Sequence, residues 1–327
     1  MDAPAPYVSI VATGRNDGYG GDFIGRFLRT LSFNAKQLDA RGIPWELVLV
    51  EWAPPPDRPL VSELALEAIP GIGRTLRTFV VDPAYHDALT MNPRIRYLEF
   101  IAKNVGIRRS VGAFVLTTNA DVYLGRHVLS TLEQRALRGR LVYRARRIDL
   151  KLGIDESTLD WDLLEDERNY DRGTKALKPP LYSGGTGDFV LLDAATFAGL
   201  RGFNEVYRVA KIGIDRNFLV KALRSGVPIT DIGGPVYHVN HVGSYRQSKA
   251  LYRDRQSEAP YGDRRWPSDT VVYDNPEHWG LAGAPAESTS GIITHLRFDW
   301  SAVAPLVEHR RVLAGTGEDA DADADDR

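Results

Sequence analysis

The sequence predicts an α/β fold: a mostly parallel central sheet flanked by helices, with a C-terminal extension. Two observations carry this prediction. Short apolar and β-branched runs alternate with segments of helical periodicity through the first 125 residues, which is the pattern of parallel strands joined by right-handed crossovers. The length of 327 residues also fits one large α/β domain or two smaller ones.

The elements of the N-terminal half are predicted from periodicity and from the residues that interrupt it. Strands are continuous apolar runs, helices carry an apolar residue every three or four positions, and proline or glycine separates them. The prolines at 54–56, for example, end the second strand. The predicted strands are 7–12, 45–50, 78–81 and 114–116, and the predicted helices are 23–38, 61–69, 92–109 and 127–137.

The C-terminal half is predicted to add further strands and helices around a charged, loop-rich insertion at 149–180. Residues 246–313 form the extension, which is polar and contains several helix candidates. Residues 314–327 are an acidic low-complexity tail that we expect to be disordered. The predicted strands are 141–147, 189–192 and 229–242, and the predicted helices are 194–200 and 215–225.

Composition excludes several classes of function. The chain has no cysteine, so disulfides, thiolate zinc sites and a cysteine nucleophile are ruled out. A net charge of −2 does not indicate nucleic-acid binding, which usually requires an excess of basic residues. No apolar stretch approaches the roughly 20 residues of a membrane span, and residues 1–6 lack the features of a signal peptide. We expect a soluble, cytoplasmic protein, with peripheral membrane association left open.

A candidate cation site follows the apolar strand at 114–116. The strand ends in small polar residues and then Asn119 and Asp121. Ligands of open α/β sheets bind beyond the carboxyl ends of the strands, and magnesium is usually held there by one or two carboxylates and substrate phosphates. The alternative is that Asn119 and Asp121 only form a turn or cap the helix after 126.

A loop with four glycines follows the first strand, at residues 13–21. Such a loop can approach a ligand closely. It is not a Walker loop, because no Gly-Lys-Ser or Gly-Lys-Thr ends it, and it does not fit the dinucleotide-binding fingerprint.

The order of motifs in the second half resembles that of nucleotide-sugar glycosyltransferases of the GT-A fold. It is similar to the galactosyltransferase-like module and to the polypeptide N-acetylgalactosaminyltransferases, over residues 7–245. The fold implied is a Rossmann-type sheet with a nucleotide-sugar-binding half at 1–125 and an acceptor and catalytic half at 126–245. The motifs are Gly184-Gly185, Gly187-Asp188-Phe189, Leu200-x-Gly-Phe-Asn-Glu205, Gly213-x-Asp215, Lys221 and Arg224 before Gly226, and Val239-x-His241.

The resemblance implies a Mn²⁺ or Mg²⁺ ion held by Asp121 and His241, bridging to the donor pyrophosphate. Asn119 stands where the family usually has the first acid of Asp-x-Asp, and would be a weaker ligand or a ribose contact. A straight strand alternates its side chains between faces, so His238 and His241 are predicted to point apart, and His241 is preferred for its place in the motif.

The resemblance also implies the catalytic residues. Asp215 would be the base that deprotonates the acceptor hydroxyl in an inverting transfer, and Asp188 is the second choice. Retention of configuration stays open, as does a purely structural role of Asp215 as a helix cap. This sequence departs from the family pattern here too, because Ile214-Asp215-Arg216 stands where relatives often have a more acidic pattern.

The first loops of the sheet are predicted to bind the base and ribose of the donor. The residues proposed for this are Arg15, Asp17, Glu51, Lys103 and Asn104. Arg144 and Arg146 are predicted to share one strand face, where they would meet phosphates or form a solvated edge.

The predicted function is metal-assisted transfer of a hexose from a nucleoside-diphosphate sugar to the hydroxyl of a carbohydrate or other acceptor. One alternative is a nucleotidyltransferase, which would need a basic glycine-rich loop; residues 13–21 contain Arg15 only. The other is a non-catalytic protein that binds nucleotide or carbohydrate, which Asn119 in place of an acid keeps open.

Overall fold

The computed structural model describes residues 5–93, 95–173, 177–208, 213–241, 272 and 274–307. The predicted acidic tail at 314–327 lies outside the described residues, as does most of the predicted extension before residue 274. The strands are β1 (Val8–Gly14), β2 (Trp45–Trp52), β3 (Leu76–Val81), β4 (Phe114–Thr117), β5 (Val122–Leu124), β6 (Val142–Leu150), β7 (Tyr170–Gly173), β8 (Val190–Asp193), β9 (Ile229–Val239), β10 (Ala286–Ser288) and β11 (Ile293–Leu296).

Helices flank this sheet on both faces. They are α1 (Phe23–Ala40), α2 (Val61–Ala68), α3 (Pro83–Leu89), α4 (Glu99–Arg109), α5 (Arg126–Glu133), α6 (Trp161–Glu165), α7 (Ala194–Gly199), α8 (Ile214–Arg224) and α9 (300–307).

The strands form one sheet in the order β10-β11-β3-β2-β1-β4-β8-β6-β9-β5, with β7 on β6. All pairs from β11 to β4 are parallel, whereas β8 runs antiparallel to both β4 and β6. The predicted α/β fold class is therefore confirmed, with a parallel N-terminal half and a mixed second half.

Burial on both faces explains why the central strands are continuous apolar runs. Alternate residues of β2 enter two separate cores: Val48 and Val50 pack with α4, and Leu47 and Leu49 pack with α1. Helix α4 lies very close to the sheet, because a Cβ on Gly106 would come within 2.5 Å of Val11.

The strand directions bring several loops to one edge of the sheet. Strands β1, β4, β6 and β9 point the same way, since β6 pairs parallel with β9 and both lie beyond the reversed β8. The segments that follow these four strands and the segment that precedes β8 therefore meet at one edge, which is where open α/β sheets bind ligands.

Several predicted elements differ from the structure. The helix predicted at 92–109 begins only at Glu99, and α3 was not predicted although Asp82 caps it and Pro83 opens it. The insertion at 149–180 contains β7, which lengthens the sheet beside β6. The extension holds a helix, α9, as predicted, and it also contributes β10 and β11, which were not predicted; β11 pairs in parallel with β3.

Candidate active site

Asp121, His238 and His241 converge at the sheet edge where β4 and β9 end. His241 Nε2 lies 3.3 Å from Asp121 Oδ2, and His238 Nε2 lies 3.7 Å from the same oxygen. One potential ligand atom from each residue falls within 4.8 Å of the others. All three side chains are 10% exposed or less, so they form a compact donor set that opens little to solvent.

This donor set suits a divalent cation. A carboxylate and two imidazoles supply one oxygen and two nitrogen ligands and leave other positions to a substrate, and such sets bind divalent first-row metals. Asp121 and His241 are close enough to bind one cation, as predicted, although they are 120 positions apart in the sequence.

The prediction that His238 and His241 point to opposite sides is wrong. Strand β9 ends at Val239, so the alternation that separates side chains does not extend to His241. His238 pairs with Val122, the residue after Asp121, which brings its imidazole to the carboxylate. The two imidazole rings lie 5.4 Å apart.

Asp121 is held in its ionised form by its surroundings. Burial by itself would raise the pKa of this carboxyl, but the adjacent His238, His241 and Arg26 outweigh it and bring the pKa well below its usual range. Asp121 is therefore available as an anionic ligand at neutral pH.

The glycine-rich loop packs against this cluster. Arg26 Nε lies 3.8 Å from Asp121, and its guanidinium donates to the carbonyls of Gly20 (2.9 Å) and Tyr19 (3.1 Å). The Tyr19 ring meets His241 edge-on at 5.6 Å between centroids. Asp17, which is predicted to bind the nucleotide, accepts a hydrogen bond from the Tyr19 N–H and so also stabilises the turn of the loop. Arg15 pairs with Asp17 at 3.5 Å.

Asn119 contacts Asp188 and Lys103. Its Nδ2 donates to Asp188 Oδ1 (2.7 Å), and its Oδ1 accepts from Lys103 Nζ (2.9 Å). An amide can do both, whereas an aspartate at 119 would place a second carboxylate against Asp188. Both polar atoms of the Asn119 amide therefore have partners within the protein.

Asp188 and Lys103 are committed to internal contacts. The second Asp188 oxygen accepts from Arg147 Nη1 (2.6 Å), so both oxygens are occupied and a role as base is disfavoured. Lys103 is buried and donates to Glu99, Asn119 and the Gly187 carbonyl, which uses all three of its N–H groups.

Asp215 faces the loop before β8 and is better suited to accept a proton. It lies in the first turn of α8, whose N-cap is Gly213, so it is not itself the capping residue. A Cβ on Gly187 would come 3.6 Å from Asp215 Oδ2. Burial raises the pKa of Asp215 above its ordinary value, opposed by the Arg216 backbone, Arg144 and Lys103.

Arg144 and Arg146 do not share a face as predicted. A register irregularity between them interrupts the alternation of β6, so Arg144 is buried and Arg146 is exposed. Arg144 donates to the carbonyls of Thr186 and Gly184, which fixes the loop that precedes β8.

Glu51 and Asn104, both predicted to bind the donor, make buried contacts within the protein. Glu51 is fully buried at the N-terminus of α2, where its carboxylate accepts from the Val61 and Ser62 N–H groups and the Ser62 hydroxyl. Asn104 is also fully buried and brackets Phe203, donating to its carbonyl and accepting from its N–H. Neither contact involves neighbours in sequence, so the local pattern could not reveal them.

Comparison with known proteins gives structural matches only. No protein-family model matches the chain, and no curated protein matches it by sequence. Among solved structures, the chain is similar to TarS 1–349 of S. aureus (14% identity, TM-score 0.40, 78% of this chain and 66% of that one) and to GalNAc-T7 with UDP, GalNAc and Mn²⁺ (13%, TM-score 0.44, 73% and 44%). TarS with UDP-GlcNAc matches at 13% and TM-score 0.40, over 74% and 60%.

The chain spans about two thirds or less of the length of these proteins. The fold assignment rests on the strand order and register described above.

Proposed function

We propose that this chain transfers a sugar from a nucleoside-diphosphate sugar to an acceptor hydroxyl, with a divalent cation held by Asp121, His238 and His241. The convergence of these three side chains at the carboxyl edge of the sheet carries the proposal. The order of motifs shared with GT-A glycosyltransferases supports the choice of reaction.

Mn²⁺ or Mg²⁺ bound by this cluster would neutralise charge on the departing nucleoside diphosphate. Asp121 supplies an anionic ligand, and Tyr19, whose carbonyl accepts from Arg26, packs its ring edge-on against His241. The nucleoside of the donor is proposed to be uridine or guanosine.

Asp215 is proposed to take the proton of the acceptor hydroxyl as it attacks the anomeric carbon. Its raised pKa brings it closer to a working base than an exposed aspartate, and it lies beside the Gly187 backbone on the loop before β8. Attack assisted by Asp215 gives inversion, which the anomeric configuration of the product tests by NMR.

The proposal is tested by release of nucleoside diphosphate from uridine and guanosine diphosphate sugars in the presence of manganese. Asp121→Ala should abolish turnover and the thermal stabilisation by nucleoside diphosphate plus Mn²⁺. Glu165→Gln, which alters an exposed pair with Arg126, is the matched control and should behave as the wild type. Unchanged turnover of the Asp121 variant would contradict the proposal.

The same assay separates the alternatives. A nucleotidyltransferase would release pyrophosphate from a nucleoside triphosphate. It would also need a basic residue in the glycine loop to hold the triphosphate. Arg15, the basic residue of that loop, donates to the Arg96 carbonyl and pairs with Asp17. A binding protein would be stabilised by ligand without turnover.

Within the described part of the chain, no helix has the length and apolar composition needed to cross a bilayer.

A further inference from the structure

A buried carboxylate that the proposed reaction does not use, Asp149, lies directly behind one ligand of the cation cluster. Strands β6 and β9 are parallel neighbours, and their register pairs Asp149 with His238. The two side chains are each 5% exposed, and His238 Nδ1 lies 3.0 Å from Asp149 Oδ1. Sheet geometry therefore fixes this contact.

The contact determines which nitrogen of His238 carries a proton. An ionised carboxylate only accepts hydrogen bonds, so Nδ1 must be the donor. The other nitrogen, Nε2, is the atom that faces Asp121 at 3.7 Å. The imidazole thus presents Nε2 to the cluster with its ring orientation set from the opposite side, as is common for histidines that bind metals.

Asp149 is itself fixed by Arg147. The same Oδ1 atom accepts from Arg147 Nε (2.7 Å), while Arg147 Nη1 reaches Asp188 at 2.6 Å. With His238, at least two donors converge on this one oxygen, which favours the ionised carboxylate and prevents it from rotating away. Arg147 thereby links the cation cluster to the Asp188–Asn119 pair across the sheet edge.

We infer that Asp149 is a positioning residue: it holds the proton of His238 on Nδ1 and so directs the Nε2 lone pair toward the cation. The inference rests on the proposed function for its consequence, because only a bound cation makes the lone pair matter. Asp149 lies at Nδ1, the ring nitrogen opposite the one that faces Asp121, and so acts through His238.

The tautomer can be read without metal or activity. Long-range ¹⁵N–¹H correlation spectra of the metal-free protein, recorded at a pH at which the ring carries one proton and assigned with His238→Gln, should show His238 protonated on Nδ1 and bare on Nε2. Asp149→Asn should weaken this preference, because its neutral amide can turn either an acceptor or a donor toward the ring. A His238 ring with a bare Nδ1 in the wild type would overturn the inference.

Binding of Mn²⁺ alone, measured by titration, gives the functional readout. Asp149→Asn should raise the Kd by about tenfold or more, within the range found when such supporting partners are changed. Asp171→Asn is the matched control: Asp171 is an exposed carboxylate of β7 that accepts from the side chain of Asn240 (3.0 Å), the residue before His241. Its Kd should stay within twofold of the wild type.

The outcomes separate the two proposals. Equal Mn²⁺ affinity of Asp149→Asn and the wild type would refute the positioning role and leave the cation site intact. Failure of the wild type to bind Mn²⁺ would refute the cation site, while the tautomer of His238 would still decide what Asp149 does. Should Asp149→Asn fail to fold, the wild-type spectrum alone decides.

Discussion

Glu205 gives the sharpest stability prediction. It is 2% exposed, and its Oε1 accepts from Asn104 Nδ2 (2.9 Å) and the Gly280 N–H (2.8 Å). Its other oxygen is buried without a hydrogen-bond partner among the described residues. Glu205→Gln keeps the shape and the accepting oxygen and removes the charge, so it isolates the effect of ionisation.

The magnitude follows from the pKa. Burial raises the pKa of Glu205 from 4.5 to about 7, against the smaller effects of Asn104, Gly280, Arg208 and Lys221. This difference corresponds to about 3 kcal/mol. Because the folded state holds the proton more tightly than the unfolded state, the stabilisation is complete below pH 4.5 and is lost as the pH rises through 7.

The measurement is urea unfolding of wild type and Glu205→Gln at pH 5, 6, 7 and 8. The difference between their unfolding free energies should change by roughly 2 to 3 kcal/mol from pH 5 to pH 8, in favour of the variant at high pH. Contributions from other groups cancel in this difference, and exposed Glu165→Gln should show no such change. If the difference in unfolding free energy between the wild type and Glu205→Gln does not vary with pH, the pKa of Glu205 is not raised and the reasoning is refuted.

Three further predictions concern the site. Asn119→Asp should lower the unfolding free energy by on the order of 3 kcal/mol in urea titrations, because its carboxylate would face Asp188 at the present 2.7 Å contact; unchanged stability would contradict this. Asp215→Asn should lower kcat by orders of magnitude and leave nucleoside diphosphate binding by calorimetry unchanged, whereas loss of binding would indicate a structural role. Glu51→Gln should lower the Tm, since it weakens three hydrogen bonds at the start of α2, and should leave the donor KM as it is; a raised KM would restore the predicted ribose contact.

What could be predicted from the sequence is what local pattern encodes. The buried strand before Asp121 and the placement of polar residues at its end follow from apolar runs and strand direction, and β4 lies where it was predicted. The convergence of His238 and His241 does not follow from strand alternation, because β9 ends at Val239 and the end of a strand is the least certain part of an element.

The remainder depends on contacts distant in sequence. Glu205 belongs to a motif that resembles a functional one, yet its partners Asn104 and Gly280 lie about a hundred residues before it and 75 after it, and make it a packing element. The pairing of β11 with β3 joins segments more than 200 residues apart. Neither can be read from periodicity, which reports only whether a side chain is buried.

Strand β11 also shields the backbone edge of β3 from other molecules. It covers the outer backbone of β3, and Leu281, Leu296 and Val303 enter the same core as β2 and α4. A chain shortened to end at residue 245 would leave β3 as a bare edge, ready to pair with a second molecule. Expression trials that trim the protein to its motif-bearing portion should therefore yield aggregates.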